Sequence, residues 1–318
     1  MKKFLALTLA MIMALSLVAC GEKKDDTTTS NTEDTIEIAV VLKTLSSEYW
    51  GYVKAGCEKA AAELGENVKV TVVGPGAESD IAGQVTMIEE QIAANVDAII
   101  CAPNDADAAC AALAAALEKK IPVLAVDTNL GLDGQTAFVG TMNDVAAEQG
   151  GIWAIDTLGT DIKAVIIYGQ EGDNTSNLRR AGYEKACADK GVEALDALSG
   201  QNTTDGATKT MEDLLTSYAG EIDVVFCHND DTAIGAMQAC KSAEVTDITI
   251  VGFDGNKSAL DLIKAGELVK ATVAQQPEAM GYDAVMNAYK AIKGEAVEEV
   301  IAAPVAVVNA ENVDEFLK

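Results

Sequence analysis

The stretch DVVFCHNDDTAIGA, residues 223–236, changes character in its middle. It begins with an apolar run without alternation, which is typical of a strand covered on both faces of a sheet. The run ends at the polar residues HNDD, 228–231, and small residues that favour a helix follow. The stretch therefore predicts a buried strand, a polar loop and a helix. The loop is a candidate metal site, acid–base site, ligand contact or helix cap.

The same order of strand and helix recurs along most of the chain. Strand-like apolar runs occupy residues 36–42, 68–73, 97–102 and 122–126, and again 163–169, 192–198, 223–227 and 248–253. Ala- and Glu-rich helical stretches, such as 52–64 and 106–119, lie between them. Alternating strands and helices favour parallel sheets covered by helices.

The two series of strands are related in sequence. AGCEKAAAELG (55–65) and AGYEKACADKG (181–191) agree at seven of eleven positions without a gap, at an offset of 126. An offset of 127 places Asp127 on Asp254, each at the end of an apolar run. This repeat predicts an α/β fold of two similar Rossmann-like lobes with parallel sheets. Ligands of such sheets bind outside the carboxyl ends of the strands, so the strand-end loops are expected to line a cleft between the lobes.

Composition limits the class of function. The chain has 318 residues, of which 49% are hydrophobic, and this is enough for two domains with sizeable cores. Its formal charge of −27 argues against nucleic acid as a partner, because that binding needs clustered Lys and Arg. The cysteines beyond Cys20 form no C-x-x-C pair, which indicates buried free thiols rather than a disulfide framework.

The N-terminus is predicted to be a signal peptide covering residues 1–19. Two lysines precede an apolar stretch, 4–18, that is too short to span a membrane. Its ending, LVAC, resembles a bacterial lipobox, which implies cleavage before Cys20 and a lipid on the Cys20 sulfur. Residues 20–35 have the composition of a disordered tether. We therefore expect an extracytoplasmic lipoprotein anchored to the cell membrane.

Three other chemistries compete with ligand binding at the strand ends. A metal is not expected, because His228 is the only His in the chain and neither zinc nor calcium ligand spacing is present. Glycoside hydrolysis by Asp127 and Asp254 would need apolar surroundings that keep one carboxyl protonated, and their neighbours are polar. Helix capping by Asp230 or Asp231 is compatible with binding. We expect neither a cofactor nor enzyme activity.

Side chains suited to a sugar or polyol gather at the predicted strand ends. Carboxylates, amides and Arg forks hydrogen-bond hydroxyl groups, and aromatic rings pack against the C–H faces of a sugar. The residues of these types are Tyr49, Trp50, Arg179, Phe253, Asp254 and Gln275. In the HNDD loop we interpret Asn229 as a ligand contact, Asp230 as support either for that contact or for the start of the helix, and His228 as incidental.

Four motifs, NDDTAIGA (229–236), VGFDG (251–255), ATVAQQP (271–277) and RRAGY (179–183), carry a resemblance to a known family. From about Ile36 to the C-terminus, the chain resembles the type I periplasmic substrate-binding proteins of sugar ABC transporters, close to the ribose-binding branch. The resemblance implies that the ligand contacts are Ser47, Tyr49, Trp50, Asp127, Arg179, Asn229, Phe253, Asp254 and Gln275.

The resemblance also implies an architecture. The expected fold is periplasmic-binding-protein-like of type I, with three chain crossings that form a hinge between the lobes. The N-terminal lobe is expected to comprise residues 36–142 plus 276–303, and the C-terminal lobe residues 143–275 plus 304–318. The implied function is that of a monomer that captures a small sugar or polyol, closes on it and delivers it to an ABC permease and its ATPase.

The ligand stays open at this stage. Thr128 stands where the ribose branch has Arg, and Ser47 and Ala102 stand where it has Asn. A pyranose, a pentose, a polyol or a nucleoside-like compound therefore remains possible as the ligand. A sensor linked to a chemoreceptor is an alternative function, and a glycosidase that uses Asp127 and Asp254 is a remote one.

Overall fold

The computed structural model describes residues 35–317. The predicted signal peptide, the predicted lipidation at Cys20 and all but the last residue of the predicted tether lie outside the described residues. No helix in residues 35–317 combines the length and the apolar composition that a membrane span needs.

Strands and helices alternate through the described chain. The strands are β1 (Ile36–Val41), β2 (Val68–Val73), β3 (Ala98–Cys101), β4 (Val123–Val126), β5 (Ala137–Gly140), β6 (Lys163–Tyr168), β7 (Glu193–Ser199), β8 (Val224–Cys227), β9 (Thr249–Asp254), β10 (Val269–Ala274), β11 (Val300–Ala302) and β12 (Ala306–Asn309). The helices are α1 (Glu48–Leu64), α2 (Ile81–Ala94), α3 (Ala106–Glu118), α4 (Asn143–Leu158), α5 (Asn174–Lys190), α6 (Thr204–Ser217), α7 (Asp230–Ser242), α8 (Lys257–Lys264), α9 (Pro277–Ile292) and α10 (Val313–Phe316).

The strands form two sheets of the same topology. The first has the order β11-β5-β4-β3-β1-β2, and the second has the order β12-β10-β9-β8-β6-β7. Neighbouring strands are parallel throughout, except that β12 runs antiparallel to β10. We call the elements around the first sheet the N-terminal lobe and those around the second the C-terminal lobe. The predicted fold class, two similar α/β lobes, is confirmed.

Each sheet is covered by helices on both faces. In the N-terminal lobe, α1 and α9 pack on one face, and α2 and α3 pack on the other. In the C-terminal lobe, α4 and α5 cover one face, while α6, α7 and α8 cover the other. Every residue of β3 and β8 is buried as a result, which explains why their sequences are uninterrupted apolar runs. The six cysteines of the described chain are free thiols, and all but Cys110 are buried.

Two glycines allow the helices on the first face of each sheet to pack closely. A Cβ atom at Gly56 of α1 would lie 1.9 Å from the carbonyl oxygen of Glu278 at the start of α9. A Cβ atom at Gly182 of α5 would lie 2.2 Å from the carbonyl oxygen of Asp144 at the start of α4. These two glycines are separated by the repeat offset, so the helix contact is itself repeated.

The chain passes between the two sheets three times. It leaves the first sheet after β5 and enters α4, returns after β10 through α9, and leaves again after β11 to form β12. The predicted three-crossover connectivity is part of the confirmed fold.

Candidate functional site

A small polar cavity lies where the carboxyl ends of both sheets meet. Its lining consists of Lys43, Ser47, Tyr49, Trp50, Glu78 and Asp127 from the N-terminal lobe and Thr175, Arg179, His228, Asn229 and Asp254 from the C-terminal lobe. The space open to the centre of a water molecule measures ≈ 20 Å³. We call it the interlobe cavity. Both lobes therefore contribute walls to this cavity.

In the N-terminal lobe, an aromatic pair holds two carboxylates against the cavity. Tyr49 and Trp50 begin α1 just after β1, and their rings meet edge to face with centroids 5.1 Å apart. The Tyr49 hydroxyl donates to Oδ1 of Asp127, and Nε1 of Trp50 donates to Oε1 of Glu78 at 2.8 Å. The polar ends of these aromatic side chains therefore orient acceptors for a ligand.

Asp127 and Asp254 occupy equivalent places at the ends of β4 and β9. Both have positive φ angles, +63° and +118°, which L-residues seldom adopt and which cost about 1–3 kcal/mol each. Both carboxyl groups line the cavity. Retained strain at two equivalent strand ends is typical of a site whose geometry is functional.

Arg179 of α5 is fixed on several sides. Its Nε donates to Oδ1 of Asn143 at 2.8 Å, and its Nη1 donates to the carbonyl oxygen of His228 at 2.9 Å. The guanidinium carbon lies 3.7 Å from the centroid of the Phe253 ring, which is fully buried beneath it. The N–H groups not used in these contacts can donate to a ligand in the cavity.

Asp254 has the most perturbed carboxyl group of the site. Its Oδ1 accepts hydrogen bonds from Nε2 of Gln275 at 2.9 Å and from Nη1 of Arg179 at 3.4 Å. Burial raises the pKa of Asp254 well above its usual range; Arg179 opposes the rise, while Asp230 and Asp127 add to it. The carboxyl therefore keeps its proton to a higher pH than a solvated Asp, and it can offer a ligand hydroxyl a donor or an acceptor.

Phe253 and Gln275, which we predicted as ligand contacts, do not line the cavity. Phe253 supports the Arg179 guanidinium from below, and Gln275 orients the Asp254 carboxyl. The structure thus gives both residues a positioning role. The other seven predicted contacts all line the cavity. They are Ser47, Tyr49, Trp50, Asp127, Arg179, Asn229 and Asp254.

Asn229 serves two purposes. It is the N-cap of α7, where its side-chain oxygen accepts the Thr232 N–H at 2.9 Å and its own N–H donates to the Thr232 hydroxyl at 3.0 Å. Because the oxygen is used by the cap, the amide NH₂ is the group left for a ligand. Asp230 beside it is fully buried and accepts from the Thr272 hydroxyl and the Asn256 N–H, both at 2.7 Å. The HNDD loop is therefore a helix cap and part of the cavity wall at once.

His228, which we interpreted as incidental, lines the cavity. It is 5% exposed, and its Nδ1 has no hydrogen-bond partner among the described residues. Burial lowers the pKa of His228 well below its usual value, helped by Arg179 and opposed by Asp173. The imidazole is thus neutral at pH 7, with a free nitrogen to offer. No group of three or more His, Cys, Asp or Glu within residues 35–317 could hold a metal ion.

Sequence reasoning missed a buried ion pair that joins the lobes. Nζ of Lys43 donates to Oδ2 of Asp173 at 2.7 Å, and the two side chains are 3% and 1% exposed. Burial alone would lower the pKa of Lys43, but the carboxylates of Asp173, Glu78 and Asp127 outweigh it and raise that pKa. The one available signal was a charged residue, Lys43, directly after the apolar run of β1.

Further hydrogen bonds close the lobes on each other. Oε2 of Glu78 accepts from Nδ2 of Asn202 at 2.6 Å, and the hydroxyls of Thr128 and Thr175 are 2.8 Å apart. Together with the Lys43–Asp173 pair, these contacts hold the two lobes closed around the cavity. Since each contact joins opposite lobes, parting the lobes would expose every one of these groups to water.

The chain is similar to proteins of known sequence and structure. Residues 38–296 match the periplasmic binding protein domain family. The ribose import binding protein of Bacillus subtilis strain 168 is 33% identical over 301 residues, which cover 94% of this chain and 95% of that protein. The D-allose-binding periplasmic protein of Escherichia coli K12 is 31% identical over 257 residues, or 77% of this chain and 81% of that one.

A solved structure shows the same fold. It is an ABC transporter solute-binding protein of Agrobacterium vitis with bound D-fucose, 33% identical, with a TM-score of 0.83. The match covers 88% of this chain and 97% of that one.

Proposed function

The chain belongs to the periplasmic binding protein family, and we propose that it captures a small sugar or polyol outside the cytoplasm for delivery to an ABC importer. The relatives named above bind ribose and D-allose, and the similar structure holds D-fucose. These relatives are binding proteins of transport systems, and the chain is a binding protein rather than an enzyme.

The observation that carries the proposal is the mixed hydrogen-bonding character of the cavity. Each sugar hydroxyl both donates and accepts, so its site needs acceptors as well as donors. The N-terminal lobe supplies the acceptors Glu78 and Asp127, and the C-terminal lobe supplies the donors Arg179 and Asn229. A sugar bound between them can satisfy groups of both lobes.

This arrangement provides a mechanism of capture. A ligand that bridges the lobes makes more contacts in the closed state than in the open one, so binding shifts the population towards closure. Closure through a hinge of a few connecting residues is an established mode for such binding proteins. We propose that the lobes divide as the sequence predicted, with 36–142 plus 276–303 in one and 143–275 plus 304–318 in the other.

The ligand class can be tested by thermal melting. Wild-type protein would be heated with monosaccharides, polyols, nucleosides and amino acids in turn. Saturation at about 100 times Kd adds roughly 2.7 kcal/mol and should raise Tm by a few degrees. We expect the strongest shift from a sugar or polyol. A shift with nucleosides alone would instead favour the nucleoside-like alternative.

The partners can be tested in native membranes. We propose that the closed monomer docks on a permease that works with an ATPase, and that a lipid on Cys20 holds it near that permease. Cys20→Ser should move the protein from the membrane fraction to the medium or periplasm. Continued membrane association of this variant would contradict the lipid anchor. Crosslinking to a chemoreceptor without any permease would favour the sensor alternative.

A further inference from the structure

The loops that follow β2 and β7 lie on the side of the cleft farthest from the three chain connections. Each of these strands is the last in its sheet, at the opposite edge from the strands next to which the chain crosses between the lobes. Four strand spacings of about 4.8 Å separate β5 from β2, and the same number separates β10 from β7. Because a hinge rotation moves distant points furthest, opening separates these two loops more than it separates residues near the connections.

The two loops are joined by a hydrogen bond between side chains of opposite lobes. Nδ2 of Asn202, in the loop after β7, donates to Oε2 of Glu78, in the loop after β2, at 2.6 Å. The same Nδ2 donates to Oδ2 of Asp173 at 3.3 Å, and that oxygen also accepts from Lys43 of the other lobe. Asn202 therefore links the two polar contacts that hold the lobes together on this side of the cavity.

The C-terminal lobe fixes Asn202 by contacts of its own. Asn202 and its neighbour Gln201 have φ angles of +58° and +55°, a left-handed conformation that residues other than glycine seldom adopt. The Asn202 Oδ1 accepts the Gln170 N–H at 2.9 Å. It also fills the space beside Gly169, where a Cβ atom would lie 2.0 Å from it. These restraints do not depend on the other lobe, so the strained loop presents the Nδ2 donor in a fixed position.

In the opposite lobe, Glu78 connects this contact to the interlobe cavity. Its Oε1 accepts from Nε1 of Trp50 at 2.8 Å, and both side chains line the cavity. The Glu78 carboxylate is thus held between Trp50 of the cavity wall and Asn202 of the other lobe. A ligand that fixes Trp50 from within the cavity also fixes the acceptor of the bond between the lobes.

We propose that Asn202 is a positioning residue of a latch, formed with Glu78, that sets how long the lobes stay closed on a bound sugar. The inference rests on the proposed function. Because the bond forms only when the lobes meet, it stabilises the closed state and leaves the contacts of the open state unchanged. Its loss should therefore raise the dissociation rate of the sugar and leave the association rate nearly as in wild type.

Stopped-flow fluorescence with D-ribose, D-allose and D-fucose measures both rates. Asn202→Asp keeps the shape of the side chain but places a carboxylate against Glu78 and Asp173, so dissociation should be at least about ten-fold faster. Asn202→Gly suits the left-handed backbone and removes only the side chain, and it should speed dissociation several-fold. Gln201→Gly relieves the same backbone strain at the exposed neighbouring residue and is the matched control, with the wild-type rate.

A reversed pair separates the bond from a merely structural role of Asn202. Glu78→Gln in the Asn202→Asp background lets the new amide donate to the new carboxylate. Dissociation should then return to within about three-fold of the rate for Glu78→Gln alone. Dissociation that stays as fast as in Asn202→Asp would show that Asn202 acts on the fold and not through Glu78.

The outcomes distinguish the latch from the proposed function. If a sugar binds and leaves both Asn202 variants at the wild-type rate, the latch is wrong and the proposed function stands. If none of the three sugars binds, the proposed function fails for them, and X-ray scattering of the protein without sugar decides the latch. A larger radius of gyration for Asn202→Asp than for wild type would then support the latch, and equal radii would overturn it.

Discussion

The strands of the two lobes are alike at their amino ends and different at their carboxyl ends. At the amino ends, Oδ2 of Asp97 accepts the Glu37 N–H at 2.7 Å, and Oδ2 of Asp223 accepts the Lys163 N–H at 2.7 Å. The same residue type, offset by 126, makes the same bond in each lobe. These ends face away from the cavity, so their residues stabilise the fold and do not contact a ligand.

At the carboxyl ends, equivalent carboxylates have unlike neighbours. Asp127 accepts from the Tyr49 hydroxyl, whereas Asp254 accepts from Arg179 and Gln275. The position equivalent to Tyr49 at the repeat offset is Thr175. The difference teaches that the repeated fold fixes the position of each carboxylate, while the surrounding residues decide its hydrogen-bond partners.

The largest expected effect comes from removing either carboxylate. Asp254→Ala and Asp127→Ala should each weaken sugar binding by about 2–4 kcal/mol, because buried ligand hydroxyls lose their partner. Titration calorimetry with the sugar found by thermal melting measures both. Asp261→Ala, at an exposed position of α8, is the control and should bind as wild type. Unchanged affinity in either variant would show that the carboxylate it lacks does not contact the ligand.

The helix contact that recurs in both lobes should be equally sensitive to a Gly→Ala substitution in each. Gly56→Ala and Gly182→Ala each force a Cβ atom into the backbone of the neighbouring helix and should lower the unfolding free energy by about 1–3 kcal/mol. Urea unfolding measures the loss. Gly51→Ala is the matched control in α1, because no atom lies within 4 Å of its Cβ, and it should stabilise by about 0.5–1 kcal/mol. A loss of unfolding free energy in one lobe only would show that the two helix contacts are not equivalent.

The two residues of the ion pair between the lobes should show a larger coupling energy than those of an ion pair within one lobe. A double-mutant cycle with Lys43→Met and Asp173→Asn should give a coupling energy of about 1 kcal/mol or more in urea unfolding, since both groups are buried. The control cycle removes the exposed pair of Lys69 and Glu37, and its coupling should stay below about 0.5 kcal/mol. Equal couplings would mean that the lobes are apart in solution without ligand.

The smallest expected effect is a dependence of stability on pH. Burial raises the pKa of Asp254 well above its usual value and also raises that of Glu78, so the folded protein holds these protons more tightly than the unfolded chain. The stability that these two carboxyl groups contribute is present at low pH and is lost as the pH rises through their folded pKa values. Above pH 6.5, His228 is largely neutral in both states and contributes little to the change.

Melting curves between pH 6.5 and 8.5 measure this loss for each lobe. The wild-type protein should lose up to about 1 kcal/mol of stability across that range. Asp254→Asn should flatten the curve more than Glu78→Gln, which would assign most of the pH sensitivity to the C-terminal lobe. A wild-type curve that rises with pH would show that the sign is wrong.

Much of the fold was predictable because the central strands are buried on both faces and the chain repeats. Apolar runs predicted eight of the twelve strands of the described chain, and an eleven-residue match indicated that the two lobes are related. The strand ends also indicated where Asp127 and Asp254 would lie. Parallel sheets bring such ends to a single edge, so position along the chain was enough.

The details that sequence reasoning did not supply depend on side-chain direction and on distant contacts. Phe253 and Asp254 are neighbours at the end of β9, and successive side chains of a strand point to opposite faces, so both could not reach the cavity alike. Lys43 and Asp173 are 130 residues apart and meet only because the lobes close. No local sequence pattern could have predicted this contact.

The interrupted course of the first lobe has a consequence for biogenesis. Its core includes Met280, Ala284 and Val285 of α9, and β11 completes its sheet beside β5. During synthesis from the N-terminus, the chain up to β10 must therefore emerge before the first lobe can be finished. A polypeptide threaded across a membrane from its N-terminus would carry an incomplete first lobe on the far side until α9 and β11 arrive.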